Sequence, residues 1–124
     1  MRLLPLLCLI LSSLPALAQI LPDAGTVLWS GSGTQPDGQT WQMQLTLLPD
    51  GALVLYPDVP CAGTWSLTDT GPTHLAATEH LAAGFDLCVD GLSLVAQTDS
   101  KGTMTVTWTN PDGTPSATAT LQRD

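Results

Sequence analysis

The stretch TWQMQLTLLPDGALVLYP, residues 40–57, consists of two apolar runs on either side of the tripeptide Pro-Asp-Gly. In the first run Trp41, Met43, Leu45 and Leu47 alternate with polar residues, which is the pattern of a strand with one buried and one solvated face. Proline presets the first turn angle, aspartate can bond its own backbone, and glycine accepts a positive φ, so the tripeptide closes hairpins. The stretch therefore predicts two antiparallel strands.

The same alternation and the same turn tripeptide recur along the chain, since Pro-Asp-Gly begins at Pro36, Pro49 and Pro111. Short strands at even spacing are typical of an all-β sandwich or barrel. The predicted strands are 26–32, 40–48, 52–57, 61–67, 73–81, 85–97 (one strand or two), 103–109 and 116–123. Short connections favour a single antiparallel meander, and closure into a barrel of about eight strands removes the exposed edges. An open sandwich remains the alternative.

Residues 73–81, THLAATEHL, hold both histidines and Glu79, the one glutamate of the chain. Read as a strand, the segment points Leu75, Ala77, Glu79 and Leu81 to the inner face. A helix is the alternative for residues 73–83, because LAATEHLAA is rich in helix-forming residues.

A carboxylate on the inner face needs a partner, because an unpaired buried charge is costly. In SATATLQR, residues 116–123, Arg123 shares the apolar face with Ala117, Ala119 and Leu121. A guanidinium can take a carboxylate in two parallel hydrogen bonds. We therefore expect a structural ion pair between Glu79 and Arg123 at one end of the core.

The first 18 residues carry an arginine, an apolar run and the small residues Ala16 and Ala18, which is the pattern of a secretory signal peptide. Residues 19–124 then form one exported β domain, periplasmic or extracellular. Cys61 and Cys88 remain after cleavage, and an even pair in an exported protein predicts one disulfide bond. Two free buried thiols are the alternative.

The charge balance excludes some partners. After the signal peptide, Lys101 and Arg123 are the only cations against 11 acidic residues. Such a chain is not expected to bind nucleic acid or an anionic membrane surface. No later segment is apolar enough to enter a membrane, and we expect a monomer.

The sequence supplies no catalytic motif. No serine lies in a nucleophile elbow, and neither His74 nor His80 has an obvious orienting carboxylate. As strand residues the two histidines are about 20 Å apart, so they cannot share a metal ion. We expect no catalytic residues, no metal site, no cofactor and no enzymatic activity.

Large aromatic residues are the candidate binding groups. Trp29, Trp41, Trp65 and Tyr56 either pack in the core or line a barrel mouth and stack on a ligand. The first interpretation is the more common one for tryptophans on a buried face. In a closed barrel Trp29 and Arg123 would be neighbours.

A tryptophan on the first strand and an arginine near the end of the last resemble the plan of calycin-type barrels, including the bacterial metalloprotease inhibitors. Those inhibitors are small, exported and eight-stranded, with one disulfide. Residues 56–88 also resemble a Tyr-Pro, Cys-x-Gly, Glu, Gly, Cys pattern of small exported bacterial β-domains without assigned function. The second likeness supports the Cys61–Cys88 bond and a framework role for Glu79, and it implies no activity.

These observations predict a non-enzymatic exported binding or inhibitory module that acts on a protein or a small ligand. The alternative is a structural, envelope-associated domain without a discrete ligand. Exposed aromatic or apolar groups at one barrel end would favour the first interpretation, and a uniformly polar surface the second. A cavity that holds Glu79 beside a histidine would favour a hydrolase.

Overall fold

The computed structural model describes residues 19–124, so the predicted signal peptide at 1–18 lies outside the described residues. Eight β-strands follow one another along the chain: β1 Val27–Thr34, β2 Thr40–Leu48, β3 Gly51–Tyr56, β4 Cys61–Thr70, β5 His74–Ala83, β6 Ser93–Thr98, β7 Thr103–Thr109 and β8 Pro115–Arg123. Within the described range no helix is long and apolar enough to cross a membrane.

The strands form a closed barrel in which each strand pairs antiparallel with the next and β8 returns to β1. The ring closes with Trp29 opposite Arg123 and Gly33 opposite Ala119. The predicted all-β meander barrel is thereby confirmed, and the open sandwich is excluded. The predicted segment 85–97 is a strand only at Ser93–Thr98, and its first half belongs to the long connection between β5 and β6.

The alternation predicted from the sequence describes the core. Met43, Leu45 and Leu47 of β2 are almost fully buried, while the residues between them face outward. Segment 73–83 contains strand β5, His74–Ala83, and no helix, and Leu75, Ala77, Glu79 and Leu81 all point inward. A strand is favoured here because alternate positions can join the common core of the barrel, which outweighs the helix propensity of the alanines.

The two ends of the barrel differ. We call the end with the β1–β2, β3–β4, β5–β6 and β7–β8 connections the mouth, and the opposite end the base. The segment before β1 covers the base: Ile20 packs into the core, and its backbone N–H donates to the carbonyl of Gly71. The mouth has no such cover within residues 19–124 and leads to a cavity.

The Pro-Asp-Gly turns are of two kinds. Gly38 and Gly113 have positive φ, and each turn aspartate accepts a backbone N–H two residues later, as at Asp112 and Thr114. Hydrogen bonds from Thr114 lower the pKa of Asp112. The tripeptide after Leu48 differs, because Gly51 is already the first residue of β3 and pairs with Leu48.

Candidate functional site

The mouth of the barrel contains a cavity of about 260 Å³. Its wall is mostly aromatic and aliphatic, its rim is polar, and Glu79 is its one buried charged group. The lining residues are Gln35, Gln39, Thr40, Trp41, Tyr56, Val59, Glu79, Leu87, Cys88, Val89, Leu92, Trp108, Ser116 and Ala117. An apolar cavity with a few converging polar groups is the usual form of a small-molecule site.

Three hydrogen-bond donors converge on one carboxylate oxygen of Glu79, which is only 4% exposed. Oε1 accepts from the Tyr56 hydroxyl at 2.7 Å and from the indole N–H of Trp65 at 2.8 Å. A third bond comes from the indole N–H of Trp108 at 3.2 Å. An indole N–H can only donate, so these contacts fix Oε1 as the acceptor and set the orientation of the carboxyl group.

The second oxygen of Glu79 has a different environment. Within residues 19–124 no donor bonds to Oε2, and it is not among the polar atoms sealed from solvent without a partner. Glu79 lines the cavity, and Oε2 is its carboxylate oxygen that the protein's own donors leave free. The backbone is also fixed, because the Glu79 N–H donates to Leu92 O and the N–H of Gly91 donates to Glu79 O.

The expected ion pair between Glu79 and Arg123 is not formed. Arg123 is exposed, and the one contact of salt-bridge length among the described residues joins His74 to Asp69. The alternation that placed Arg123 on the inner face gives the direction of a side chain but not its height along the barrel. Arg123 ends β8 at the base, whereas the carboxyl group of Glu79 reaches the cavity at the mouth.

The four candidate binding aromatics separate into three groups. Trp41 and Tyr56 line the cavity, with ring centroids 5.3 Å apart in an edge-to-face arrangement. Trp65 is 2% exposed and acts as a donor to Glu79 instead of lining the cavity. Trp29 is buried near the base, where it is the register partner of Arg123 on β8. Its indole N–H has no hydrogen-bond partner among the described residues.

Sequence reasoning missed Trp108 as a site residue. It lines the cavity, and its ring centroid lies 5.6 Å from that of Trp41. The signal was present, because Trp108 is on the inner face of β7 and two residues before the Asn110–Gly113 turn. A meander places that turn at the same end as Trp41.

Gly33 makes space for the Trp41 indole. The two residues are register partners in β1 and β2, and a Cβ at position 33 would overlap the six-membered ring of Trp41. We expect Gly33→Ala to displace the indole and to lower the free energy of unfolding by about 1–2 kcal/mol. Near-ultraviolet circular dichroism would report the lost coupling of Trp41 with Tyr56 and Trp108.

The adjacent Ser32→Ala is the matched control, because Ser32 points outward and is exposed. It should leave the aromatic spectrum unchanged. An unchanged spectrum for Gly33→Ala as well would show that Trp41 does not depend on this space.

Tyr56 is the one tyrosine of the chain. Burial raises its pKa far above the usual 10.0, and the nearby Glu79 carboxylate, which accepts its hydrogen bond, raises it further. A group whose pKa is raised on folding stabilises the protein fully below the unfolded value and loses that contribution as pH rises above it. We therefore expect stability to fall above pH 10.0.

A spectrophotometric titration checks this expectation directly. Phenolate absorbance should be missing while the near-ultraviolet dichroism of the folded protein persists, and it should appear together with unfolding. The denatured protein is the control and should titrate near pH 10. A phenolate signal at that pH from a protein that is still folded would contradict the buried Tyr56–Glu79 contact.

The connection between β5 and β6, residues 84–92, forms one side of the mouth. The disulfide between Cys61 and Cys88 ties it to the start of β4, which confirms the predicted bond. Gly84 is required there, since its φ is +88° and a Cβ would meet the Cys61 backbone at 2.9 Å. The connection exposes large apolar side chains: Phe85 is 61%, Leu87 65% and Val89 61% exposed.

Both ends of the barrel carry aspartates, but the cations lie at one end. The mouth connections carry Asp37, Asp58, Asp86, Asp90 and Asp112, in addition to Glu79 inside the cavity. Lys101 lies in the β6–β7 connection and Arg123 at the end of β8, so both cations of residues 19–124 are at the base. The mouth therefore has a negative electrostatic potential.

Neither histidine reaches Glu79. His74 lies at the base, where its Nε2 is 3.1 Å from Asp69, a carboxylate partner that the sequence did not reveal. The hydrogen bond from His74 lowers the pKa of Asp69. His80 is exposed on the outer face of β5. Among the described residues no three His, Cys, Asp or Glu side chains gather as metal ligands.

A second depression, of about 270 Å³, lies near the β6–β7 connection at the base. It is lined by Thr73, Gln97, Thr98, Asp99, Thr103 and Thr105. None of these side chains is buried, so water already satisfies their polar groups and little is gained when a ligand replaces it. The mouth cavity is the better candidate site.

Fold and site together define a small eight-stranded antiparallel β-barrel with one disulfide and an aromatic cavity at one mouth. The disulfide is compatible with an oxidising, exported environment. In comparisons with protein-family models, curated proteins and solved structures, nothing matches this chain.

Proposed function

We propose that this protein is an exported, non-enzymatic binding module that takes a small ligand into the mouth of its barrel. The observation that carries the proposal is the aromatic cavity above Glu79, with one carboxylate oxygen free to contact a ligand. The half-buried Trp41 offers a ring surface to a molecule that enters the mouth. The negative potential of the mouth disfavours anionic ligands.

The size of the cavity limits the ligand. Small-molecule sites usually have about 300–1,000 Å³, and the mouth offers about 260 Å³. An apolar cavity of about 150 Å³ can hold benzene. A ligand of one ring with a short side chain is therefore the appropriate size, and larger molecules would have to extend from the mouth into solvent.

The proposal that the module is not an enzyme rests on the groups around Glu79. Its three partners are neutral donors, and the described lining contains Ser116 but no histidine that could activate it. A hydrolase needs a nucleophile and a base within hydrogen-bond reach of each other. Export is supported by the disulfide and by the signal-peptide pattern of residues 1–18.

A pair of variants on β8 tests ligand binding at the mouth. Ala117 lines the cavity, and the adjacent Thr118 points outward. We expect 2-phenylethanol to shift the indole N–H resonances of Trp41 and Trp108 in the unmodified protein, and to leave that of Trp29 unchanged. Ala117→Trp, which fills the cavity, should weaken binding at least about tenfold, and Thr118→Trp should not.

Two results would overturn this proposal. One is that neither 2-phenylethanol nor 2-phenylethylamine shifts the Trp41 resonance. The other is that both β8 variants bind as the unmodified protein does, which would place the ligand elsewhere.

A protein partner is the second candidate, and the exposed Phe85, Leu87 and Val89 favour it. Apolar side chains grouped beside a polar rim are typical of protein interaction sites, and the disulfide limits the entropy lost when this connection is immobilised. These side chains also weigh against a purely structural domain with a uniformly polar surface. Affinity capture with the folded domain, compared with its Phe85→Ser variant, tests this candidate: a stoichiometric partner lost on substitution supports it.

A further inference from the structure

We infer that the mouth cavity selects an organic cation, namely a small apolar molecule whose ammonium group binds Oε2 of Glu79 while its body contacts Trp41, Tyr56 and Trp108. This inference rests on the proposed function and adds the chemical class of the ligand. Its support comes from the hydrogen bonds of Glu79, the aromatic wall and the distribution of charge.

The hydrogen bonds of Glu79 leave one defined acceptor free. Oε1 is occupied by Tyr56, Trp65 and Trp108, whereas Oε2 of this cavity-lining residue has no donor from residues 19–124. All three partners are neutral, and both cations of the described chain are at the base. The buried carboxylate therefore has no counter-ion from its own fold, and an ammonium group would supply the charge and the N–H donors.

The wall of the cavity suits the rest of such a ligand. Indole and phenol rings attract a cation placed near their faces and also bury apolar area. The Trp41 ring makes edge-to-face pairs with both Tyr56 and Trp108, which links the three rings as one group. The three rings and a carboxylate around one small volume form an arrangement that favours an ammonium group over a neutral polar group.

The electrostatic potential around the mouth also favours a cationic ligand. Asp37, Asp58, Asp86, Asp90 and Asp112 surround the mouth, and within residues 19–124 no lysine or arginine lies there. Such a potential attracts cations and repels anions over a distance of about 8–10 Å at ordinary salt concentrations. A carboxylate-bearing ligand of the same shape should therefore be excluded.

Three probes of one shape separate charge from size. 2-Phenylethylamine carries an ammonium group, 2-phenylethanol a hydroxyl group, and phenylacetate a carboxylate. With the unmodified protein, calorimetry and Trp41 indole resonances should show the amine binding at least about tenfold more tightly than the alcohol. Phenylacetate should not bind measurably.

Two variants locate the source of the preference. Glu79→Gln retains an oxygen for the three donors and removes the charge, and we expect the amine to lose its advantage over the alcohol. Asp23→Asn removes the same charge from an exposed position near the base and should leave the preference unchanged. Because the probe comparison needs no variant, it decides the question even if Glu79→Gln does not fold.

The outcomes separate this inference from the proposed function. If the alcohol binds at the mouth as tightly as the amine, cation selection is wrong and ligand binding stands. If the preference survives in Glu79→Gln, or is lost in Asp23→Asn, the carboxylate is not its source and the inference is wrong. If no probe shifts the Trp41 resonance, the proposed function is overturned as well.

Discussion

Replacing Glu79 with leucine should lower the free energy of unfolding by roughly 3–6 kcal/mol, although leucine fits an apolar core. The substitution leaves the Tyr56 hydroxyl and the indole N–H groups of Trp65 and Trp108 without their acceptor. A buried donor that loses its partner costs about 1–3 kcal/mol. Since small domains have a total stability of about 5–15 kcal/mol, the variant should lose a large part of the stability of the barrel.

Glu79→Gln is the matched control, because its amide oxygen can still accept from all three donors. We expect it to lose at most about half as much stability in denaturant-induced unfolding as Glu79→Leu, since neutral hydrogen bonds are weaker than those to a charged group. Equal stability of the leucine variant and the unmodified protein would show that the three donors find other partners, and that Glu79 does not organise this end of the core.

Removing the disulfide should also lower the free energy of unfolding by a large amount. Cys61 and Cys88 are separated by 27 residues, and for a loop of this length the chain-entropy model gives about 3.5 kcal/mol of stabilisation. Alanine is the appropriate replacement, because Cys61 is fully buried and a serine hydroxyl there would need a partner. We expect the Cys61→Ala, Cys88→Ala protein to unfold at correspondingly lower denaturant concentration.

The same double variant should change the mouth locally. Cys88 lies within the 84–92 connection, so the double variant should exchange the amide hydrogens of this connection faster than the unmodified protein does. The increase there should be at least as large as the global loss of stability requires, whereas the strand ends at the base should show the global increase only. The chemically reduced protein is the control, because it has no substitution. Unaltered stability in both the reduced protein and the double variant would contradict a structural role for the bond.

The position of Glu79 shows what the sequence could and could not predict. Alternation along residues 73–81 predicts the strand and the inward direction of the carboxylate, and both are confirmed. The hydrogen-bond partners of Glu79 were not predictable in this way, because alternation does not give the height of a side chain along the barrel axis. A buried carboxylate also suggests a charged partner, which led to the prediction of Arg123. The structure instead uses Tyr56, Trp65 and Trp108, whose polar atoms are easily overlooked in residues that also pack as hydrophobic groups.

The long connection 84–92 differs from the predicted strand for a related reason. Phe85, Leu87 and Val89 alternate with polar residues, as in a strand, but here the apolar members are exposed. The disulfide at Cys88 and the hydrogen bond from the Leu81 N–H to Asp90 hold this segment at one side of the mouth. Alternation therefore predicts burial only where a second layer is present to cover the apolar face.

The closure of the ring between β1 and β8 governs how the barrel can assemble. Seven of its pairings join consecutive strands, whereas Ser30 and Asp124, which are hydrogen-bonded across the closure, are 94 residues apart. The entropy of loop closure makes so distant a contact slow to form. Until this contact forms, β1 and β8 are free edges to which a strand of a second copy could pair. The refolding yield should therefore fall as the protein concentration rises. The native barrel has no such free edge, because the ring is closed.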